Sequence, residues 1–336
     1  LTLSFRQLTL DDYSLYEQME TGLEQDYMLR VFERLVSENN RLYGMFEEDI
    51  LVAVAGYTIF CGEFAMLGRL RSDARYRKQG YGTIITKYIL DAAREESGVT
   101  WIGANTEQHN IPAQKVLQKL NMPHQLTLYA AQAETLGPLL DGQPLWQEIT
   151  ELDNKKKWLE ETYLNPSFGK QVFPYEAYYP FPASPAMFSD RKLMEMHCYV
   201  NPQETRVVFM WEEEKGEAYL HVVYPWFDLT SQAGLFDTIS SVFEERLRRG
   251  TSSKVWIDLT EEEAADLPAD HPFDLPSPWM LHGFQCSDKT DSQSHLKEAK
   301  ELLDHLEQEI KELNTQLDTT KLNVKKLSSQ FDQLDL

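Results

Sequence analysis

Two glycines one residue apart, in the run Arg75-Tyr76-Arg77-Lys78-Gln79-Gly80-Tyr81-Gly82, separate the apolar stretch Met66-Leu67-Gly68-Arg69-Leu70 from a long amphipathic segment. Glycines at that spacing let a strand-to-helix connection fold tightly and turn several backbone N–H groups toward one point. Together with the positive end of the following helix, those amides suit a pyrophosphate or another anion. Arg77 and Lys78 add cationic charge beside them. A dinucleotide-binding turn would carry a third glycine at position 85, where Ile85 stands. A P-loop would continue Gly-Lys-Ser/Thr, whereas Gly82 is followed by Thr83-Ile84. Both are disfavoured.

The elements that must hold this loop follow from periodicity. Strands at 41–46, 50–60 and 64–71 form a meander that turns at Glu47-Glu48-Asp49. A helix over 82–96 places Ile84, Ile85, Tyr88, Ile89 and Ala92 on one face. A strand at 100–104, a helix at 112–120 and a last strand at 126–130 complete the unit. A sheet with flanking helices defines an α/β or α+β domain.

Between its strand and its helix, the run from Arg77 to Gly82 resembles the R/Q-x-x-G-x-G/A motif of the GCN5-related N-acetyltransferases (the GNAT family). Downstream, Asn110-Ile111-Pro112-Ala113-Gln114-Lys115-Val116-Leu117-Gln118-Lys119-Leu120 resembles the family's N-x-x-A-x-x-x-Y-x-K-L helix. The resemblance covers roughly residues 3–130. It implies a mixed, twisted sheet whose central parallel strands splay apart to admit acetyl-CoA, with no metal. It implies backbone amides of Gln79, Gly80, Tyr81, Gly82 and Thr83 on the pyrophosphate, beside Arg77 and Lys78. Asn110, with Ala113 of the same motif, would lie near the pantetheine arm, and the backbone from Leu67 to Leu70 would pair with its amides like an added strand. Two departures stand out: the family's tyrosine, often the general acid, falls on Leu117, and the helix closes with Asn121-Met122 in place of Gly-Phe. A thiolate leaves with a pKa near 8.5, so the acid's share of catalysis is modest. Glu107 and His109, just past the strand, are candidates for the base, and Tyr129 for the acid.

The pattern recurs. Phe5 to Asp12 is echoed by Trp146 to Asp153, Gly62 to Leu67 by Gly216 to His221, and Thr100-Trp101-Ile102 by Val255-Trp256-Ile257. The expected organisation is a GNAT acetyltransferase domain at 1–141, a degenerate GNAT-like domain at 142–287 and a coiled-coil oligomerisation helix at 288–336. The second copy offers Gln232-Ala233-Gly234-Leu235-Phe236-Asp237 in place of the loop, and Asp237 would repel a pyrophosphate. Leu281-His282-Gly283-Phe284 resembles the family's L-x-G-F helix end. The Pro- and Tyr-rich stretch 173–188 reads as an ordered surface loop. In the tail, apolar residues recur at spacings of three and four from Leu296 to Leu334, which predicts a coiled coil and a homo-oligomer through 296–334.

Charge bounds the partners. The 336 residues carry 54 acidic and 32 basic side chains, a net charge of −22, which disfavours nucleic acid and anionic membranes as targets of bulk attraction. Residues 142–287 hold 24 acidic against 12 basic side chains, and residues 1–141 hold 19 against 13, so acidity concentrates in the copy without the loop. An acidic surface would instead draw cationic amines such as polyamines, aminoglycosides or lysine-rich proteins. Three widely spaced cysteines fit a reducing, cytoplasmic setting. The longest uncharged apolar run, 50–60, is far short of the ~20 residues that span a bilayer. The expected activity is transfer of an acetyl group from acetyl-CoA to a primary amine by direct attack. The alternative is a non-catalytic acyl-CoA-binding or assembly protein acting through its coiled coil.

Overall fold

The stretch Ile50–Phe60 is the most apolar in the chain, and its residues from Leu51 to Tyr57 are all buried, as in a strand covered on both faces. At its centre Gly56 lets two backbones approach closely: a Cβ there would stand 2.2 Å from the Arg41 carbonyl oxygen. The computed structural model describes residues 2–286, so the coiled coil expected at 288–336 lies outside the described residues.

Fourteen strands occur among the described residues: β1 (Leu3–Gln7), β2 (Asn40–Glu47), β3 (Ile50–Phe60), β4 (Phe64–Ser72), β5 (Trp101–Glu107), β6 (His124–Ala133), β7 (Gln147–Glu148), β8 (Val172–Glu176), β9 (Tyr179–Pro182), β10 (His197–Val200), β11 (Val207–Lys215), β12 (Glu217–Val223), β13 (Lys254–Leu259) and β14 (Trp279–Gln285). Twelve of them form one sheet in the order β1-β2-β3-β4-β5-β14-β6-β13-β12-β11-β10-β7, and β8 pairs with β9. Neighbours are antiparallel except β4 with β5 and β12 with β13. From either edge inward, the sheet therefore presents the same succession of three antiparallel pairings, one parallel pairing and one antiparallel pairing. The fold is mixed α/β, with the helices Tyr81–Glu95 and Leu235–Arg249 as the longest flanking elements described.

At the centre of the sheet, strands from far apart in the chain are neighbours. The strand foreseen at 126–130 is β6, and it pairs with β13 and β14 and does not reach β5. β5 pairs with β14, from the far end of the described chain. The cause is visible in two glycines: Gly103 of β5 and Gly283 of β14 are register partners, and the Trp101 indole lies over both. A Cβ would stand 1.9 Å from that ring at Gly103 and 2.2 Å at Gly283, so the slot exists only where neither residue has a side chain. Within it Trp101 is 1% exposed and packs edge-on against Phe181.

The stretch 173–188, expected as a surface loop, is part of the core. Phe173 and Phe181 are wholly buried, one on each strand of the β8–β9 hairpin, in a cluster with Phe64, Trp101, Phe209 and Trp211. Proline is tolerated because this two-stranded ribbon offers edges where no N–H is required. The hairpin tip reaches the middle of the large sheet, where the Tyr178 ring packs against Trp256 and Trp279. Beneath it lies buried His221, 2.8 Å from Glu213 Oε2 through Nδ1 and 2.9 Å from Asp258 Oδ2 through Nε2. Both ring nitrogens face carboxylate acceptors, so both carry protons. Burial alone would lower the His221 pKa, but the two carboxylates push it up to about 9.

Candidate functional site

β4 and β5 run in parallel register only from Phe64 with Trp101 to Leu67 with Ala104. Beyond that point β4 bends away. Opposite it on β3, Val54 faces Arg71 and Gly56 faces Gly68, so Arg69 and Leu70 together face only Ala55. This bulge puts Arg69 at φ +60° and turns the strand, a device that recurs beside functional sites. Past Leu67 the edge of β4 makes no ladder with β5 and is open to an extended ligand. A cleft of about 490 Å³ opens there, lined by the Leu67–Arg71 and Ala104–Glu107 segments, His109, Asn110, the helix Ile111–Lys119 and Trp279.

The glycine loop sits at the start of the helix that also contributes Thr86 and Ile89 to the cleft. It is tethered at its base by Asp73, a wholly buried carboxylate that accepts from the Arg75 guanidinium and from the Arg75 and Glu20 amides. That arginine holds the Asp73 carboxyl below the usual range. Lys78 and Gly80 adopt positive φ, +69° and +79°. Between them the chain turns so that the N–H groups of Lys78, Gln79, Gly80, Tyr81 and Gly82 donate to nothing among the described residues. Thr83, expected with this set, has already spent its N–H on the Gly80 carbonyl at 2.9 Å. The Tyr81 side chain is buried and donates to Glu47 Oε2 at 2.5 Å, which pins the helix start to β2. Arg77 donates to the Thr21 carbonyl oxygen at 2.9 Å, and neither it nor Lys78, both exposed, forms an ion pair among the described residues.

Asn110 caps the helix Ile111–Lys119, its Oδ1 accepting from the Ala113 N–H at 3.3 Å while Nδ2 stays uncommitted. Leu67, Leu70, Asn110 and Ala113 all line the cleft. So does Leu117, and no tyrosine does. Glu107 and His109 come together at the mouth: His109 Nε2 lies 2.7 Å from Glu107 Oε2, and its Nδ1 lies 3.0 Å from Ser277 Oγ. Tyr129 is not brought to them. It lies on the part of β6 that pairs with β13, packed against the core cluster around Leu136, Val255 and Leu259. Because β6 lies beyond β14 and does not flank β5, its middle belongs to the other half of the sheet. The residues that sequence reasoning missed arrive by the same route: Ser277 and Trp279 precede and open β14, and the Gln108 N–H donates to the Pro278 carbonyl oxygen. No local signal marks them. Arg69 had one, as the only charge between Phe64 and Leu70.

The corresponding helix of the other half is closed off. Gly234 begins the helix Leu235–Arg249 at φ +71°, and its N–H donates to both oxygens of Asp141, at 3.2 and 3.1 Å. Asp237 accepts from the Asp141 and Gly142 amides, each at 3.1 Å. The Gly234 amide is thus occupied by the chain's own Asp141 carboxylate.

Residues 4–122 match the family model described as the acetyltransferase (GNAT) family. Among solved structures, the chain is similar to a GCN5-related N-acetyltransferase from Sphaerobacter thermophilus, with 15% identity, a TM-score of 0.51, and coverage of 84% of this chain and 95% of that one. It is also similar to the ribosomal-protein-S18-alanine N-acetyltransferase from Escherichia coli, with 16% identity, a TM-score of 0.34, and 38% and 81% coverage. An N-acetyltransferase from Staphylococcus aureus gives 13%, 0.33, and 39% and 87%. No curated protein matches the chain. The described residues thus have a GNAT-like mixed α/β fold. Among them there is no group of three His, Cys, Asp or Glu side chains able to hold a metal ion, and no helix is long and apolar enough to cross a membrane.

Proposed function

We propose that the protein is an N-acetyltransferase that transfers an acetyl group from acetyl-CoA to a primary amine. The observation that carries this is one helix serving two ends of one site: its N-terminus presents the free amides from Lys78 to Gly82, and its next turns line the gap between β4 and β5. The amides would take the pyrophosphate, and Asn110 Nδ2 and the open edge of β4 the pantetheine arm. The amine nitrogen attacks the thioester carbonyl carbon, the C–N bond forms, the C–S bond breaks and the sulfur leaves as thiolate. The Glu107–His109 pair takes the proton the amine must lose, with Ser277 orienting the imidazole. N–H groups of the open β4 edge supply donors for the carbonyl oxygen.

Calorimetry with acetyl-CoA and thiol release across an amine panel test this directly. Micromolar or tighter binding with turnover is the expected result, and absence of acetyl-CoA binding by the intact protein overturns it. Leu117 at the place of a tyrosine favours a second reading, a non-catalytic acyl-CoA-binding or assembly protein, for which binding without turnover on any amine would speak. For residues 142–287 we infer a GNAT-like copy without cofactor, a reading supported by the mirrored strand order and by Asp141 at the Gly234 amide. The 288–336 segment we propose as a coiled coil that pairs two copies in the cytoplasm.

A further inference from the structure

Arg69 differs from three neighbouring arginines that each have a carboxylate partner. Arg71 pairs with Asp26 at 3.0 Å, Arg75 with Asp73 at 2.5 Å and Arg41 with Glu96 at 3.2 Å. Arg69 lines the cleft and forms no ion pair among the described residues. Its guanidinium meets only neutral acceptors, through Nη2, which donates to Asn40 Oδ1 at 3.0 Å and Thr58 Oγ1 at 2.5 Å. Nη1 and Nε donate to nothing described, and neither is among the sealed, unpartnered atoms, so both can be reached by solvent or a ligand.

The surroundings do not neutralise this charge. Burial pushes the Arg69 pKa down from its ordinary value, and the Arg34 charge adds to that. Lys215, at the end of β11, holds its ammonium 4.2 Å from the centre of the Tyr179 ring and forms no ion pair among the described residues. The acidic groups felt by Lys215 are Glu176 and Glu213, and Glu213 is already committed to His221. The residue is also held in place at some cost. At φ +60° a non-glycine side chain is strained, and the bulge that imposes this φ fixes where Arg69 enters the cleft. The same cleft carries Glu107 and His109. One cavity thus offers a carboxylate–imidazole pair suited to an amine and an unpaired guanidinium suited to an anion.

We infer that the acceptor is an amine that also carries an anionic group, as an amino acid does, and that Arg69 binds that group; this rests on the acyl-transfer reading above. The local charge of the cleft therefore selects against polyamines, which the acidic exterior of the whole chain would otherwise gather. An uncompensated guanidinium repels a second cation and gains most from a carboxylate or phosphate.

The experiment compares matched pairs on the full chain by thiol release: amino acids against their decarboxylated amines, and phosphorylated amino alcohols against the free amino alcohols. The expected result is a kcat/KM advantage of about 100-fold for the anionic member of one pair set, which also tells carboxylate from phosphate. Arg69→Met should abolish that preference through KM, with acetyl-CoA affinity followed by calorimetry so that any loss of cofactor binding is separated from loss of the preference, while Arg69→Lys should retain part of it. Arg69→Gly, which suits the positive φ, repeats the test should the methionine variant fold poorly. Preference for the decarboxylated amines, or discrimination unchanged in the Met and Gly variants, overturns the inference. A second arm needs no turnover: N-acetylated amino acids are titrated against neutral N-acetylated amines. Tighter binding of the anionic ligand by the native chain and not by Arg69→Met supports the anion site even where no amine is acetylated, an outcome that counts against the transfer reading alone. Equal binding of the two ligand types refutes the anion site.

Discussion

At the scale of single residues, the loop at Gly80 and Gly82 was the most legible part of the site, because positive φ and unpaired amides are what glycine spacing encodes. A Cβ at Gly82 would make only ordinary contacts, 3.6 Å from a Leu70 methyl, so Gly82→Asp should fold normally. It should nevertheless weaken acetyl-CoA binding by about 100-fold, since a carboxylate would stand where an anion must sit. Calorimetry on the variant checks this, with thermal melting as the folding control. In the other half, Asp237 stands in the first turn of the helix Leu235–Arg249, where its carboxylate accepts from the Asp141 and Gly142 amides. His221 illustrates what sequence could not disclose: nothing in its neighbourhood along the chain announces two carboxylates. Its raised pKa stabilises the fold fully below about 6.5, the unfolded value, and that contribution fades as pH rises through about 9. The shift corresponds to about 3 kcal/mol. Glu213, held below its usual range by His221 although burial alone would raise it, adds stability above its unfolded pKa of 4.5 that is lost as pH falls. Urea midpoints measured from pH 5 to pH 10 should therefore drop on the alkaline side, and His221→Gln should be less stable with a flatter alkaline limb.

At the scale of elements, the strand meander and the two helices of the first half fell within one residue of their expected bounds, because each has a clean apolar period. The β8–β9 hairpin escaped because its prolines mimic a loop, although its aromatic residues are what a core demands. The slot for Trp101 is the decisive contact between elements. Gly283→Ala would place a methyl 2.2 Å from the indole and 2.9 Å from the Ile102 carbonyl oxygen, so the ring or the strand must shift. We expect a loss of about 1–3 kcal/mol, or more if the ring cannot move. Gly68→Ala, where a Cβ meets nothing within 4 Å, should change stability by less than about 0.5 kcal/mol. Denaturation midpoints of the two variants decide between a packing requirement at Gly283 and a general intolerance of side chains in the sheet.

At the scale of the whole chain, the strands run in a mirrored order from the two edges of the sheet, and which strands meet at its centre was not legible in the sequence. β6 and β14 both mix buried and exposed positions, and period alone cannot say which of them lies beside β5. Glycine against glycine across two strands settles it, and that is a tertiary fact. The heptads from Leu296 make a separate prediction: sedimentation of the full chain should report a particle about twice the chain mass of 39.0 kDa, and a chain ending at Asp288 should report a monomer. The pairing of β5 with β14 also bears on how the protein is made. Gly103 waits for Gly283, 180 residues later. While a ribosome is still extending the chain, the first half supplies β4 on one side of β5 and nothing on the other, and Ser277, which meets His109, has not yet been added. The cleft beside β5 gains Ser277 and Trp279 only when the chain has reached β14. Until then the nascent first half carries a bare strand edge, which is the interval in which a chaperone would matter most.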